Sequence, residues 1–209
     1  MQGNKEEEDL LVKDNPHFHV PVIEAVNYFA NTPANPYTTS SPRLLHTHIP
    51  HSLLPDSIKN SNCKIIYIAR NPKDTLISMW HFFNYPSGKL EDPCPLEKAV
   101  ECFCNGVHPY GPFFEHVLEY WEESKRRPQK ILFLKYEDLK RDPRKEDLDK
   151  VLWKCNFERL KNLEVNKSGS FFNNIPNSAF FRKGIVGDWK NHITREMEEQ
   201  LDKITSLKL

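Results

Sequence analysis

The 209 residues carry 29 Lys plus Arg against 29 Asp plus Glu, a zero formal charge that excludes a general attraction to nucleic acid or membrane surfaces and makes any anion site local. Thirteen Phe, seven Tyr and four Trp separate the chain from disordered sequence, and its length suits one α/β domain with a proper core. Five cysteines at irregular spacing exclude a disulfide framework and point to reduced thiols in the cytoplasm.

Taken in chain order, residues 1–14 form an acidic tail, "MQGNKEEEDLLVKD", where a transit peptide would be basic and then apolar. There is no run of eighteen apolar residues, so no membrane span is expected. "PVIEAVNYFA" (21–30) has apolar residues at helical spacing behind Pro21 and reads as a short helix, followed by the loop "NTPANPYTTSSP". "RLLHTH" reads as a short strand stopped at Pro50, and "LLPDSI" as a turn or single-turn helix. His51 is expected at the surface. "CKIIYIAR" is the clearest strand, and its unbroken apolar run predicts burial on both faces.

"NPKDTLISMWHFF" follows as a helix with Asn71 at the N-cap, Pro72 at the first helical position, Asp74 in the first turn, and Leu76, Met79, Trp80 and Phe83 on one stripe. "PLEKAVECFCNG" and "PFFEHVLEYWEESKRR" are amphipathic helices, and Cys102 and Cys104 in the first have no second ligand pair nearby, so no metal site is expected. "KILFLKYEDL" is a second apolar strand ending in Tyr136, Glu137 and Asp138. Beyond Pro143 come a weaker helical pattern, the polar loop "NKSGSFFNNIPNS", the loop "FFRKGIVGDW" and an acidic final helix.

Two apolar strands, each followed by a helix, specify an α/β fold with a parallel sheet flanked by helices, whose ligands sit at the carboxyl ends of the strands. His46, His48, Arg70 and Tyr136 stand at those ends. Arg70 with Ser78 two helical turns on suits a phosphate, although Arg70 paired to Asp74 is an equal alternative at this point. In "FFRKGIVGDW", Arg182 and Lys183 precede Gly184, whose bare backbone can approach a phosphate, with Gly187 close behind and Phe180, Phe181 and Trp189 as anchors. A nucleotide triphosphatase would need a Gly-rich loop with lysine and a Mg²⁺ carboxylate. Glu137 and Asp138 fit turn formation better than that role.

"LLHTHIPHSLLP", "IIYIARNPKDTLISMWHF", "GPFFEHVLEYWEE", "ILFLKYEDLKRDP" and "FFRKGIVGDWKNHIT" together closely resemble the cytosolic sulfotransferases, and the upstream "NPHFHVPVIE" is similar to their plant branch. The resemblance covers residues 15–209 as one domain with the P-loop-NTPase-like sulfotransferase fold. It implies transfer of a sulfuryl group from 3′-phosphoadenylyl sulfate, a co-substrate used without a metal, to a hydroxyl of a small organic acceptor, with no nucleic acid or membrane partner. His48 matches the base of the T-H-x-P segment, and imidazole titrates near working pH as a base must. Arg70 and Ser78 match the 3′-phosphate ligands, Tyr136 a residue beside the adenine, and Arg182, Lys183 and Gly184 a segment that closes over the phosphate. Cys155, Asn156 and Phe157 match an adenine-lining segment, the first two departing from its usual residues. Lys190, Thr194 and Glu199 match a small homodimer motif in which Arg195 replaces an apolar residue. The role of His46, where many relatives carry lysine, stays open.

The family also uses a strand, glycine, lysine, hydroxyl loop to hold the 5′-phosphosulfate. None of the seven glycines here stands in such a sequence, so the resemblance implies a truncated chain lacking the N-terminal loop, its fold incomplete there. Two functions therefore stay open: a sulfotransferase working through His48, and a noncatalytic remnant that binds a ligand or has no function. Phe82, Phe83, Tyr85, Phe113, Phe114 and Phe172 could line an apolar acceptor pocket, with core filling favoured for Phe83 and Phe114.

Overall fold

A computed structural model describes residues 9–25, 44–85, 92–142, 153–171 and 175–209. The main elements in chain order are β1 (Ile65–Ala69), α1 (Pro72–Phe83), α2 (Leu96–Cys104), α3 (Phe113–Arg126), β2 (Ile131–Lys135), α4 (Tyr136–Arg141), α5 (Phe157–Asn162), β3 (Ser170–Phe171), β4 (Ile175–Pro176) and α6 (Arg195–Lys208). They divide between two compact units, Met1–Thr47 with Lys145–Gly184 and His48–Arg144 with Ile185–Leu209.

The second unit is an α/β arrangement with a parallel sheet flanked by helices. β1 and β2 run parallel with Ile65 opposite Ile131 and Ala69 opposite Lys135. Alternation along the strands sends Ile65, Tyr67, Ile131 and Phe133 to the face where Leu54 and Tyr120 of α3 pack, with the Tyr67 and Tyr120 rings stacked 4.3 Å apart. The other face corrects the expectation of two-sided burial: Ile66 is 62% exposed, Ile68 54% and Leu132 53%. An unbroken apolar run permits burial on both faces but does not supply the covering element, and among the described residues none covers this face.

The main core lies among the helices, where Leu76 of α1, Val100 and Phe103 of α2, Phe114 of α3, and Met197 and Leu201 of α6 meet. Helix α1 begins as its sequence requires: the Asn71 side chain accepts from the backbone N–H of Lys73 at 3.0 Å, and Pro72 takes a position that has no N–H to lose. Phe114 fills the core as expected, but Phe83 does not and is largely exposed. Phe172 lies outside the described residues.

In the first unit, the expected helix over 21–30 is a 3-10 turn at Ile23–Ala25, with residues 26–30 outside the described residues. Val22 forms an isolated parallel bridge with His46, which among the described residues 44–48 stands in place of the expected "RLLHTH" strand, Arg43 lying outside the described residues. The stretch read as a polar loop from Asn166 opens on the second half of a short helix, Glu164–Ser168, and carries the antiparallel pair β3 and β4. Its organiser is polar: Asn15, fully buried, donates to Asn166 Oδ1 at 2.9 Å, and Asn166 in turn donates to the Leu160 carbonyl at 2.8 Å. Buried amides that satisfy one another hold short elements together where apolar spacing gives no sign of them.

Candidate functional site

The strand register builds the first part of the site. Because Ala69 stands opposite Lys135, the next residues, Arg70 and Tyr136, leave the two strands side by side, and the Arg70 guanidinium lies 4.8 Å from the centre of the Tyr136 ring. Arg70 Nη2 donates to the Ile185 carbonyl at 3.0 Å. Its approach to Asp74 is only 3.9 Å, at the edge of an ion pair. Asp74 is engaged elsewhere: Oδ2 accepts from the Gly187 N–H at 2.7 Å and Oδ1 from the Trp189 N–H at 3.2 Å. The pairing of Arg70 with Asp74 is thus present but long, and beside it Asp74 clamps the loop 185–189 while Arg70 keeps a buried Nε with no partner among the described residues. Ser78 lies one turn beyond Asp74 on α1, half-buried.

Glu137 does turn work, as its position predicts: Oε1 accepts the Asn71 N–H at 2.9 Å, tying the end of β2 to the start of α1. Asp138 Oδ1 accepts from Arg141 Nη2 at 2.7 Å one turn on. Among the described residues no group of three or more His, Cys, Asp or Glu is placed to hold a metal ion.

His48 lies at the surface of the same unit, its ring stacked on Tyr110 at 4.5 Å and 14°. Its carbonyl accepts from Nε2 of His116 on α3 at 3.1 Å, and the other nitrogen of His116 meets the Tyr67 hydroxyl at 3.0 Å. Burial lowers the pKa of His116 from its ordinary value, against the opposing pull of the His48 carbonyl. Burial likewise raises the pKa of the Tyr67 phenol. His51 departs from expectation. It is half-buried, accepts a guanidinium contact from Arg127 at 3.2 Å, and has its pKa lowered by burial.

Arg182, Lys183 and Gly184 belong to the first unit. Gly184 sits at φ +63°, and a Cβ there would come within 2.9 Å of the Phe157 ring, so both the backbone angle and the close approach demand glycine. Asn156 caps α5 by accepting from the Arg159 N–H at 2.9 Å, which sets Phe157 at the start of that helix beneath the glycine. Phe181 meets Phe157 at 6.0 Å and Phe180 meets His17 at 4.2 Å within this unit, while the third expected anchor, Trp189, belongs to the second unit. His46 is held here too, with Nδ1 2.7 Å from the Val20 carbonyl.

The profile of the family described as Sulfotransferase domain matches residues 2–209. Cytosolic sulfotransferase 12 of Arabidopsis thaliana is 40% identical over 209 residues, covering 92% of this chain and 64% of the relative. Cytosolic sulfotransferase 5 of the same plant is 40% identical over 231 residues, covering all of this chain and 71% of the relative. The chain belongs to the sulfotransferase family. It spans about two thirds of the length of the curated relatives it matches. Among solved structures, mouse sulfotransferase SULT7A1 complexed with PAP is similar with a TM-score of 0.69 at 26% identity, covering 95% of this chain and 77% of that one.

In this sulfotransferase-family chain, then, the fold brings Arg70 and Tyr136 together and links His48 to β1 through His116 and Tyr67. Asp74, Tyr110, His116 and Tyr67 are absent from the sequence-based site. Asp74 reads as a first-turn acid, His116 as one polar residue on an amphipathic helix, and Tyr67 as one more apolar residue of a strand. The parity of Tyr67 with Ile65, on the α3-facing side of β1, is the one usable signal. No helix of the described residues is long and apolar enough to cross a membrane.

Proposed function

We propose that the chain binds 3′-phosphoadenylyl sulfate and transfers its sulfuryl group to a hydroxyl of a small organic acceptor in the cytoplasm. The observation that carries this reading is the buried, unpartnered Nε of Arg70 beside Tyr136. A buried N–H left without an acceptor costs about 1–3 kcal/mol, and a phosphate oxygen at a planar guanidinium supplies that acceptor in charge-assisted form. Ser78 adds a neutral donor, Tyr136 an aromatic surface by the adenine, and Arg182, Lys183 and Gly184 further cations and approachable backbone. The reading assigns no metal.

His48 then acts on the acceptor. Its imidazole takes the hydroxyl proton while the oxygen attacks sulfur. The new O–S bond forms as the bridging S–O bond to the 5′-phosphate breaks, and the electron pair leaves with 3′,5′-bisphosphoadenosine. Transfer of labelled sulfate to a panel of phenols and alcohols tests this. The expected result is saturable transfer to at least one hydroxylated aromatic. Nucleotide binding without transfer would instead favour the noncatalytic reading, and neither binding nor transfer would overturn both.

The same reading includes a homodimer through Lys190, Thr194 and Glu199. Within the chain Thr194 caps α6, accepting from the Met197 N–H at 3.3 Å, and Arg195 Nε donates to Glu199 at 3.0 Å. Both partners of that ion pair are mostly solvated, so breaking it costs little. Arg195→Val frees Glu199 and restores an apolar contact, and sedimentation velocity is expected to show a larger dimer fraction. An unchanged distribution would remove the motif from the account.

A further inference from the structure

We infer that Tyr67 and His116 are positioning residues that hold His48 in place for proton abstraction, an inference that rests on the role of His48 proposed above. The bonding admits one arrangement. The His48 carbonyl can only accept, so His116 Nε2, 3.1 Å away, carries the proton. In the neutral ring Nδ1 is then an acceptor, and the Tyr67 hydroxyl 3.0 Å away donates to it. Burial acts in the same sense on both groups, keeping His116 unprotonated and Tyr67 a phenol. Tyr67 is itself gripped by the sheet core, stacked on Tyr120 at 4.3 Å and Phe133 at 5.3 Å. The chain of bonds thus runs from the rigid strand β1 through α3 to the backbone of an exposed residue.

The ring of His48 is fixed separately. Tyr110 stacks on it at 4.5 Å, and the Tyr110 N–H donates to Nδ1 of His108 at 3.2 Å. Backbone and ring of the base are therefore held at two points by different elements. A surface imidazole on an otherwise irregular segment has little reason to be so constrained unless its direction matters, because a misplacement of about 1 Å can cost a reaction roughly 100-fold.

Three variants test the assignment. Tyr67→Phe keeps the stacked ring and removes only the hydroxyl, His116→Leu removes both bonds, and His116→Gln can still present an N–H to the His48 carbonyl. The expected kcat falls roughly 10–100-fold in His116→Leu and less in Tyr67→Phe, with KM for the nucleotide unchanged and much of the loss recovered in His116→Gln. Nitrogen-15 spectra of the imidazoles, with no substrate present, are expected to show His116 with its proton on Nε2. The His48 ring protons are expected to carry a ring-current shift from Tyr110 that disappears in His116→Leu. A proton on Nδ1 of His116, a His48 shift untouched by His116→Leu, or wild-type kcat in that variant overturns the inference. Absence of sulfate transfer by the unmodified chain would count against the proposed function alone, and the spectra would still decide whether His116 holds His48.

Discussion

His48→Ala is expected to lower sulfate transfer by roughly 100- to 10,000-fold, the usual range for removal of a positioned general base. The imidazole is exposed and stacked on Tyr110, and His116 holds the His48 carbonyl, so truncation removes the proposed base without opening the core. Nucleotide affinity should stay within about twofold, since the proposed phosphate ligands Arg70, just after β1, and Ser78, in α1, are separate in sequence from the His48 segment. Steady-state kinetics with varied donor and acceptor separates the two effects. Turnover unchanged by the substitution would remove His48 as the base while leaving the nucleotide site intact.

Phe103→Ala is expected to cost about 3–5 kcal/mol of stability, a large share of the roughly 5–15 kcal/mol that holds a domain folded. Phe103 is almost wholly buried, with Phe113 at 5.1 Å and Phe114 at 5.9 Å, in the cluster where α1, α2, α3 and α6 converge. The cavity left by the ring would lie in this cluster, lined by residues of all four helices. Urea unfolding should show a lower midpoint with an unchanged slope, and a loss below about 1 kcal/mol would mean that this cluster is not the core. The effect reaches function through α1, because Leu76 packs in the same cluster while Asp74, two residues earlier, clamps the loop at Gly187.

What the sequence carries plainly is local. Asn71 and Pro72 start α1 because capping involves atoms a few bonds apart, and β1, β2, α2 and α3 follow from apolar spacing within each segment. Arg70 and Tyr136 could be placed at strand ends, and their contact then follows from one register. The remainder depends on partners distant in sequence. Whether Ile66 and Ile68 are covered is a property of the neighbouring element, so an apolar run alone misled. The pairing of Val22 with His46 and the Asn15–Asn166 bond unite segments that carry no periodic signal. His51 looked solvated because its partner, Arg127, lies 76 residues away. The tautomer of His116 is set by a strand tyrosine and a loop carbonyl, neither of which is near it in the chain.

The central claim is that the guanidinium at the carboxyl end of β1 recognises a 3′-phosphate. Calorimetry on the unmodified chain and on Arg70→Ala, each with 3′,5′-bisphosphoadenosine and with adenosine 5′-monophosphate, tests it as a thermodynamic cycle. The account predicts that the unmodified chain prefers the bisphosphate and that Arg70→Ala loses roughly 10- to 100-fold of affinity for it, the scale of one charge-assisted hydrogen bond, while its affinity for the monophosphate is unchanged. Equal losses for both nucleotides, or no loss for either, would contradict it.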